Sequence, residues 1–353
     1  MPRYYDWPKT FSYDADINII VSERGYGKTY GLRKQCVKDF LKDGSRFVVI
    51  VRYKNSLKGD DAVQRGFFEK LELNNEFPDH VLKTEGTKAY IADKPKSEDE
   101  KPSWKLIGYF VALTNMQRSK EGTFVNVRRV IFDEFIIDKR TRAQYLPGEF
   151  GLFVNVLSSI AREEVGKPTK VRAYLLGNAC DLTNPYFARY GITKAPDFGY
   201  TWYFGKTVLL HYSQDKEFQE GQRDTLVGRA VKGTQEERII IGNEFANSNS
   251  EFIAAKTKNA KFAFGIVYRG ELFGIWCDER AGYYYVNRKV PNNSKRPIYS
   301  LTCEDNSVNY IAAKRAERVL KSFVELYYLG IVRYDSPATY ERLMQALALF
   351  GVR

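Results

Sequence analysis

Ile17-Asn18-Ile19-Ile20-Val21-Ser22-Glu23-Arg24-Gly25-Tyr26-Gly27-Lys28-Thr29 decides the fold. Its first five residues, four of them apolar, read as a short strand. After Thr29, the residues Leu32, Cys36, Val37, Phe40 and Leu41 fall on one face of a helix that Gly44 stops. Strand, glycine loop and helix in that order aim free backbone N–H groups at an anion. The spacing therefore predicts a phosphate loop made of Ser22, Glu23, Arg24, Gly25, Tyr26, Gly27, Lys28 and Thr29. Gly25 and Gly27 let the main chain approach the phosphates, Lys28 reaches the β- and γ-phosphates of ATP, and the Thr29 hydroxyl holds Mg²⁺. One position departs from G-x-x-x-x-G-K-[ST]: Ser22 stands where the motif has glycine. A serine there must avoid positive φ or carry about 1–3 kcal/mol of strain.

Beyond the loop, Arg46-Phe47-Val48-Val49-Ile50-Val51-Arg52 is a nearly continuous apolar run, the pattern of a strand buried on both faces of a parallel sheet. Residues 62–80 read as a helix followed by the turn Phe77-Pro78-Asp79. Residues 88–92 and 105–113 read as a hairpin with a long charged tip between them. The polar segment 114–126, with Gln117, Arg118, Ser119 and Lys120, reads as a connection. Upstream, Tyr4, Tyr5, Trp7, Phe11 and Tyr13 form either a platform for the adenine base or an arm packed on the domain.

Val127-Arg128-Arg129-Val130-Ile131-Phe132 ends in Asp133-Glu134, and the carboxyl ends of strands are where open α/β sheets bind ligands. Asp133 is expected to hold the Mg²⁺ shell through water. Glu134 is expected to polarise the water that attacks the γ-phosphate. Residues 149–162 read as a helix with Phe153, Val156, Leu157 and Ile160 on one face. Its end carries Arg162, either an arginine finger for an adjacent subunit or a cation suited to the helix dipole. A further strand over 170–177 terminates in Asn178, placed to sense the γ-phosphate or orient the water. Residues 207–212 read as the last strand of this domain.

The chain has 353 residues, 44% of them hydrophobic and 15% aromatic, enough for two domains with real cores. No apolar run approaches the roughly 18–20 residues of a membrane span, and the first residues do not resemble a signal peptide. Four dispersed cysteines and two isolated histidines give no zinc spacing and argue against a His-based triad. A reducing, cytosolic setting fits them. A net charge of +12 favours a polyanionic partner.

Residues 213–250 read as a helical linker region. Residues 261–269, 271–277 and 281–288 then form an antiparallel meander, and 297–302 a fourth strand. Helices are expected over 307–329 and 336–349.

Ser-Glu-Arg-Gly-Tyr-Gly-Lys-Thr, Val-Ile-Phe-Asp-Glu-Phe (130–135), Leu-Gly-Asn-Ala (176–179) and Asn-Pro-Tyr-Phe (184–187), in that order, resemble the genome-packaging ATPases of small tailed phages of the phi29 type. Glu-Phe-Pro-Asp-His (76–80) and the segment 264–276 extend the likeness over nearly the whole chain. The resemblance implies an α/β fold. An additional-strand P-loop ATPase domain (1–212) with a mostly parallel sheet and helices on both faces would precede a smaller α+β domain (251–353) like RNase H. It implies a homomeric ring, a pentamer, at the portal of an empty procapsid in the host cytoplasm, driving double-stranded DNA inward with ATP and Mg²⁺. In some relatives a structural packaging RNA ties the ring to the portal. Arg24 matches the family's phosphate-loop arginine, Asp133 and Glu134 its acids, and Arg162 and Lys120 its trans-acting arginine and lysine. An RNase H-like nuclease needs converging carboxylates for two metals, and the strand at 261–269 has no acid. The C-terminal domain is thus expected not to cut DNA but to bind nucleic acid or a partner through Lys256, Lys258, Lys261, Arg288, Lys289, Lys295 and Arg296. A helicase-like ATPase and a non-hydrolysing assembly scaffold stay open as alternatives on the residues alone.

Overall fold

Ile19, Ile20 and Val21 are wholly buried, as a strand covered on both faces and both sides requires. The structure is a computed structural model and describes residues 4–58, 63–97, 99–115, 124–138, 143–162, 170–192, 195–245, 252–292 and 295–348. In chain order the elements are α1 (Trp7–Ser12), β1 (Ile17–Val21), α2 (Lys28–Asp43), β2 (Arg46–Val51), α3 (Glu69–Leu73), β3 (His80–Glu85), β4 (Lys88–Asp93), β5 (Lys105–Ala112) and β6 (Val127–Asp133). Next come α4 (Glu149–Ala161), β7 (Arg172–Gly177), α5 (Pro185–Tyr190), β8 (Gly199–Tyr203), β9 (Val208–Tyr212), α6 (Lys216–Arg223), α7 (Leu226–Val231) and α8 (Gln235–Ile240). The chain continues through β10 (Lys261–Tyr268), β11 (Glu271–Asp278), β12 (Tyr283–Asn287), β13 (Ile298–Ser300), β14 (Ile311–Ala312), α9 (Ala313–Tyr328), β15 (Val332–Tyr334) and α10 (Pro337–Leu347).

The chain divides into two units, Met1–Cys180 with Pro196–Ala246, and Asp181–Ala195 with Asn247–Arg353. The first holds a nine-stranded sheet in the order β3-β4-β5-β2-β6-β7-β1-β9-β8. From β5 through β9 every pairing is parallel, and the flanking pairs β3–β4, β4–β5 and β8–β9 are antiparallel. Strand β7 lies between β1 and β6, the extra strand that separates the phosphate loop's strand from the acidic one.

Helix α2 seats Leu32, Cys36 and Val37 against Ile20, Val49, Ile131, Tyr174 and Leu176 of the sheet. Arg129 of β6 is buried among these apolar groups because its charge is paired: Nε donates to Asp39 of α2 at 2.5 Å and Nη1 to the Tyr174 hydroxyl at 2.7 Å. The N-terminal aromatics are an arm on this core. Tyr5 and Trp7 are each 5% exposed, and Trp7 Nε1 donates to the Lys28 carbonyl at 3.0 Å. Gly31 makes room for that ring, since a Cβ there would stand 2.4 Å from Trp7 Cδ1.

Several expectations are corrected. Within 63–80 only α3 is an α-helix, and a strand missed in the sequence, β3, starts at His80 and pairs with β4. The β4–β5 hairpin is present, as the middle and inner strands of a three-stranded flank. Strand β9 is preceded by the unexpected antiparallel β8, whose residues are all half-buried and so lack an apolar run. Helices α6 to α8 cluster with the first unit rather than standing apart as a linker, and 181–195 with the second.

In the second unit the sheet order is β14-β13-β10-β11-β12-β15. The meander β10-β11-β12 is antiparallel, whereas β13 and β14 join parallel to it. At the other edge β15 lies parallel beside β12. Its core joins Phe264, Ile266, Phe273 and Ile275 to Leu320 and Phe323 of α9 and Leu343 and Leu347 of α10.

Candidate nucleotide site

The loop between β1 and α2 turns at Gly25 and Gly27, both at φ 79°, a conformation that strains any residue with a Cβ. Ser22 does not adopt positive φ. It extends the β1–β7 pairing instead, donating its N–H to the Gly177 carbonyl at 3.2 Å, and is fully buried. Of the two courses open to a serine here, it avoids positive φ, because the turn is made three residues later.

Lys28, the first residue of α2, is 7% exposed. Its Nζ donates to Asn178 Oδ1 at 2.7 Å and to the Glu23 carbonyl at 3.3 Å. Burial pulls the ammonium below the ordinary lysine range, and the charges of Asp133 and Glu23 work against that pull. Thr29 Oγ1 donates to Asp133 Oδ2 at 2.8 Å, and Asp133 Oδ1 accepts the N–H of Glu134 at 3.0 Å. Glu134 is exposed, beyond the end of β6, with φ 55°. Two hydrogen-bonded sets thus meet at one sheet edge, Lys28 with Asn178 and Thr29 with Asp133 and the Glu134 N–H, and the Lys28–Thr29 peptide joins them. The hydroxyl of Thr29 and the carboxylate of Asp133 are hard oxygen donors of the kind Mg²⁺ takes.

Other predicted residues stand differently. Arg24 is largely exposed, with Nη2 3.9 Å from Asp138 Oδ2. Arg162 is exposed at the end of α4 and makes none of the contacts just given. Lys120 lies outside the described residues. Tyr4 is 67% exposed and lies across Gly27, where a Cβ would meet its ring at 2.9 Å.

Sequence reasoning missed Arg52, just past β2. Its Nη1 and Nη2 donate to the carbonyls of Glu134 and Phe135 at 3.3 and 2.9 Å, and its Nε pairs with Glu149 Oε2 at 2.9 Å. The Glu149 side chain is fully buried and also accepts the Leu146 N–H at 2.8 Å. A charged residue closing an apolar strand was the available signal.

In the second unit, Lys258, Lys261 and Arg296 line a cleft of about 670 Å³ together with Arg280, which was not foreseen. Lys256 sits 4.5 Å over the Trp276 ring, and Arg288 pairs with Glu271 at 3.2 Å. Lys289 and Lys295 are exposed.

Comparison with known proteins gives concordant results. The DNA packaging protein of Bacillus phage phi29 is 29% identical over 335 residues, covering 94% of this chain and 93% of its own. That of Bacillus phage B103 is 29% identical over 327 residues, covering 92% and 94%. Among solved structures, the bacteriophage Phi-29 viral genome packaging motor assembly superposes with a TM-score of 0.68 at 26% identity, over 98% of this chain and all of that one. The N-terminal domain of the DNA packaging ATPase from bacteriophage phi29 does so with 0.50 at 28%, over 61% of this chain and 98% of that one. Residues 2–345 match the family described as Podovirus DNA encapsidation protein (Gp16), and the chain belongs to it.

Proposed function

We infer that this protein is the ATP-hydrolysing subunit of a ring motor that drives double-stranded viral DNA into a preformed capsid. The observation carrying this reading is the meeting of the phosphate-loop helix with the acidic strand end: Thr29 on Asp133, and Lys28 on Asn178 of the strand between. Backbone N–H groups of residues 24–29 cradle the phosphates, and Lys28 releases Asn178 to bind them. Arg24 joins them from the exposed side. Thr29, and Asp133 through water, would hold Mg²⁺, which offsets phosphate charge. Glu134 orients and deprotonates the attacking water, and Asn178, freed from Lys28, senses the γ-phosphate. Arg162 and Lys120 serve the neighbouring subunit's nucleotide in a homopentameric ring. That ring sits at the portal of the procapsid in the host cytoplasm, and a structural RNA is a candidate tether.

In the second unit the cations at 256–261, 288–289 and 295–296 engage the DNA backbone without sequence preference, as a motor that moves any sequence needs. Nuclease activity is not expected, since β10 carries no acidic residue. The test is turnover: Glu134→Gln should lower ATP hydrolysis by about 10²–10⁴-fold and keep nucleotide binding. Arg162→Ala subunits mixed with wild type should poison the oligomer. An active Glu134→Gln protein overturns the mechanism. A wild-type protein with no affinity for ATP and Mg²⁺ in calorimetry overturns the assignment as an ATPase.

A further inference from the structure

Helix α6 carries only half of its own N-terminal cap. Asp215 is the N-cap, and its Oδ1 accepts the N–H of Phe218, three residues on, at 2.9 Å. In a capping box the residue at that third position is Glu or Gln and accepts the N-cap's own N–H in return. Phe218 has no side-chain acceptor. The Asp215 N–H goes instead to Oε1 of Glu23, 192 positions earlier in the chain, at 2.8 Å. Gln219 Nε2 donates to the same oxygen at 3.1 Å. Two further contacts run between the same elements. The Tyr26 hydroxyl donates to Asp215 Oδ2 at 2.8 Å, and the Tyr26 ring packs on Phe218 at 5.0 Å.

Glu23 is an unusual side chain for this place. It is 1% exposed, and its Oε2 is buried without a hydrogen-bond partner. Burying a carboxyl with one oxygen unsatisfied is costly, and the turn itself is made by Gly25 and Gly27 without its help. What the carboxyl does supply is the missing acceptor of α6. A helix of eight residues has few internal hydrogen bonds, so its caps weigh heavily in whether it forms.

We propose that Glu23 is a positioning residue for nucleotide binding: it completes the cap of α6 only while residues 22–27 hold their anion-binding shape, so loop shape and helix order are one equilibrium. The inference rests on the assignment of residues 22–29 as the nucleotide site. Nucleotide in the loop then orders the first turn of α6, and weakening α6 loosens the loop's hold on phosphate, because the coupling is reciprocal.

The test uses the full chain with a non-hydrolysable ATP analogue and Mg²⁺. Calorimetry gives the Kd, and hydrogen exchange reads the amides of residues 215–219. In the wild type the analogue should slow exchange there. Glu23→Ala should raise the Kd roughly tenfold, the size of a buried hydrogen bond, and leave α6 exchange fast and unresponsive to the analogue. Glu23→Gln keeps an acceptor oxygen and should restore both readouts. Tyr26→Phe, which removes one of the two clasps, should move both in the direction of Glu23→Ala. A Glu23→Ala protein with wild-type Kd, or with α6 exchange that still responds to the analogue, overturns the proposal. Should Glu23→Ala fail to fold, Tyr26→Phe with wild-type Kd and exchange overturns it equally. A wild type that binds no analogue overturns the nucleotide site as well, which separates the two failures.

Discussion

Thr29 and Asp133 are 104 positions apart in the chain and meet at 2.8 Å, hydroxyl to carboxylate. The sheet order makes this possible: β1 and β6 are held one strand apart by β7, so α2, which follows β1, can start within reach of the carboxyl end of β6. If that pair holds magnesium, Thr29→Ala and Asp133→Asn should each lower turnover roughly a hundredfold at fixed magnesium. The diagnostic measurement is a magnesium titration of turnover, whose midpoint should rise in both variants and stay put in Glu134→Gln when binding is followed instead.

Glu134 sits at φ 55°, a left-handed conformation that costs a residue with a Cβ about 1–2 kcal/mol. If Glu134 activates the attacking water, the reaction needs its carboxylate and the fold does not. Glu134→Gly should therefore leave the unfolding free energy from urea titration within about 0.5 kcal/mol of wild type, since relief of strain and the larger entropy of the unfolded chain nearly cancel. The same variant should abolish turnover. Glu134→Val, β-branched at positive φ, should lose more than about 1 kcal/mol.

The parallel core was legible because its strands are buried on both faces and so are written as apolar runs; β2 and the strand ends at Ser22 and Asp133 could be placed without a structure. Strands β3 and β8 were not, because each lies at an edge, mixes polar and apolar residues, and takes its order from a neighbour rather than from its own composition. The site divides along the same line. Lys28, Thr29 and Asp133 sit in local motifs, whereas Arg52, Glu149 and the Glu23–Asp215 contact join segments distant in the chain. No local spacing encodes such pairs.

Arg52 and Glu149 form a buried ion pair beneath the Glu134 turn, with side chains 11% and 0% exposed. Deleting one partner of such a pair strands the other's charge and costs about 3–5 kcal/mol. Glu149→Ala should thus lower the unfolding free energy by that order in urea titration, the more so because the Leu146 N–H loses its acceptor. The paired change of both residues to apolar groups should recover much of the loss.

The cleft cations make a separable claim. If Lys258, Lys261, Arg280 and Arg296 contact phosphates, each replacement by Ala should reduce the slope of log affinity against log salt by about one on duplex DNA, whatever its sequence. Arg288→Ala, whose guanidinium is engaged by Glu271, should change that slope less. Filter binding or fluorescence anisotropy over a range of salt concentrations measures both.

His211 gives the molecule an acid-side weakness. Its ring stacks on Tyr200 at 3.8 Å, and its Nδ1 lies 2.8 Å from the Tyr5 hydroxyl. Burial, helped by the nearby Lys9 charge and opposed by Asp6, lowers its pKa from 6.5 to about 4. The folded chain therefore keeps the imidazole neutral while the unfolded chain takes up a proton below pH 6.5. Stability contributed by the neutral ring is full above pH 6.5 and is lost as pH falls toward about 4, by up to about 3 kcal/mol. Glu23, whose carboxyl burial holds above its ordinary range, acts in the opposite sense at the acid end of that window, so wild type alone will not isolate the effect. The difference between wild type and His211→Gln does. Unfolding free energies measured at pH 7 and pH 4.5 should fall less for the variant, by about 2 kcal/mol, and equal falls in the two proteins would show that the ring is already protonated in the fold.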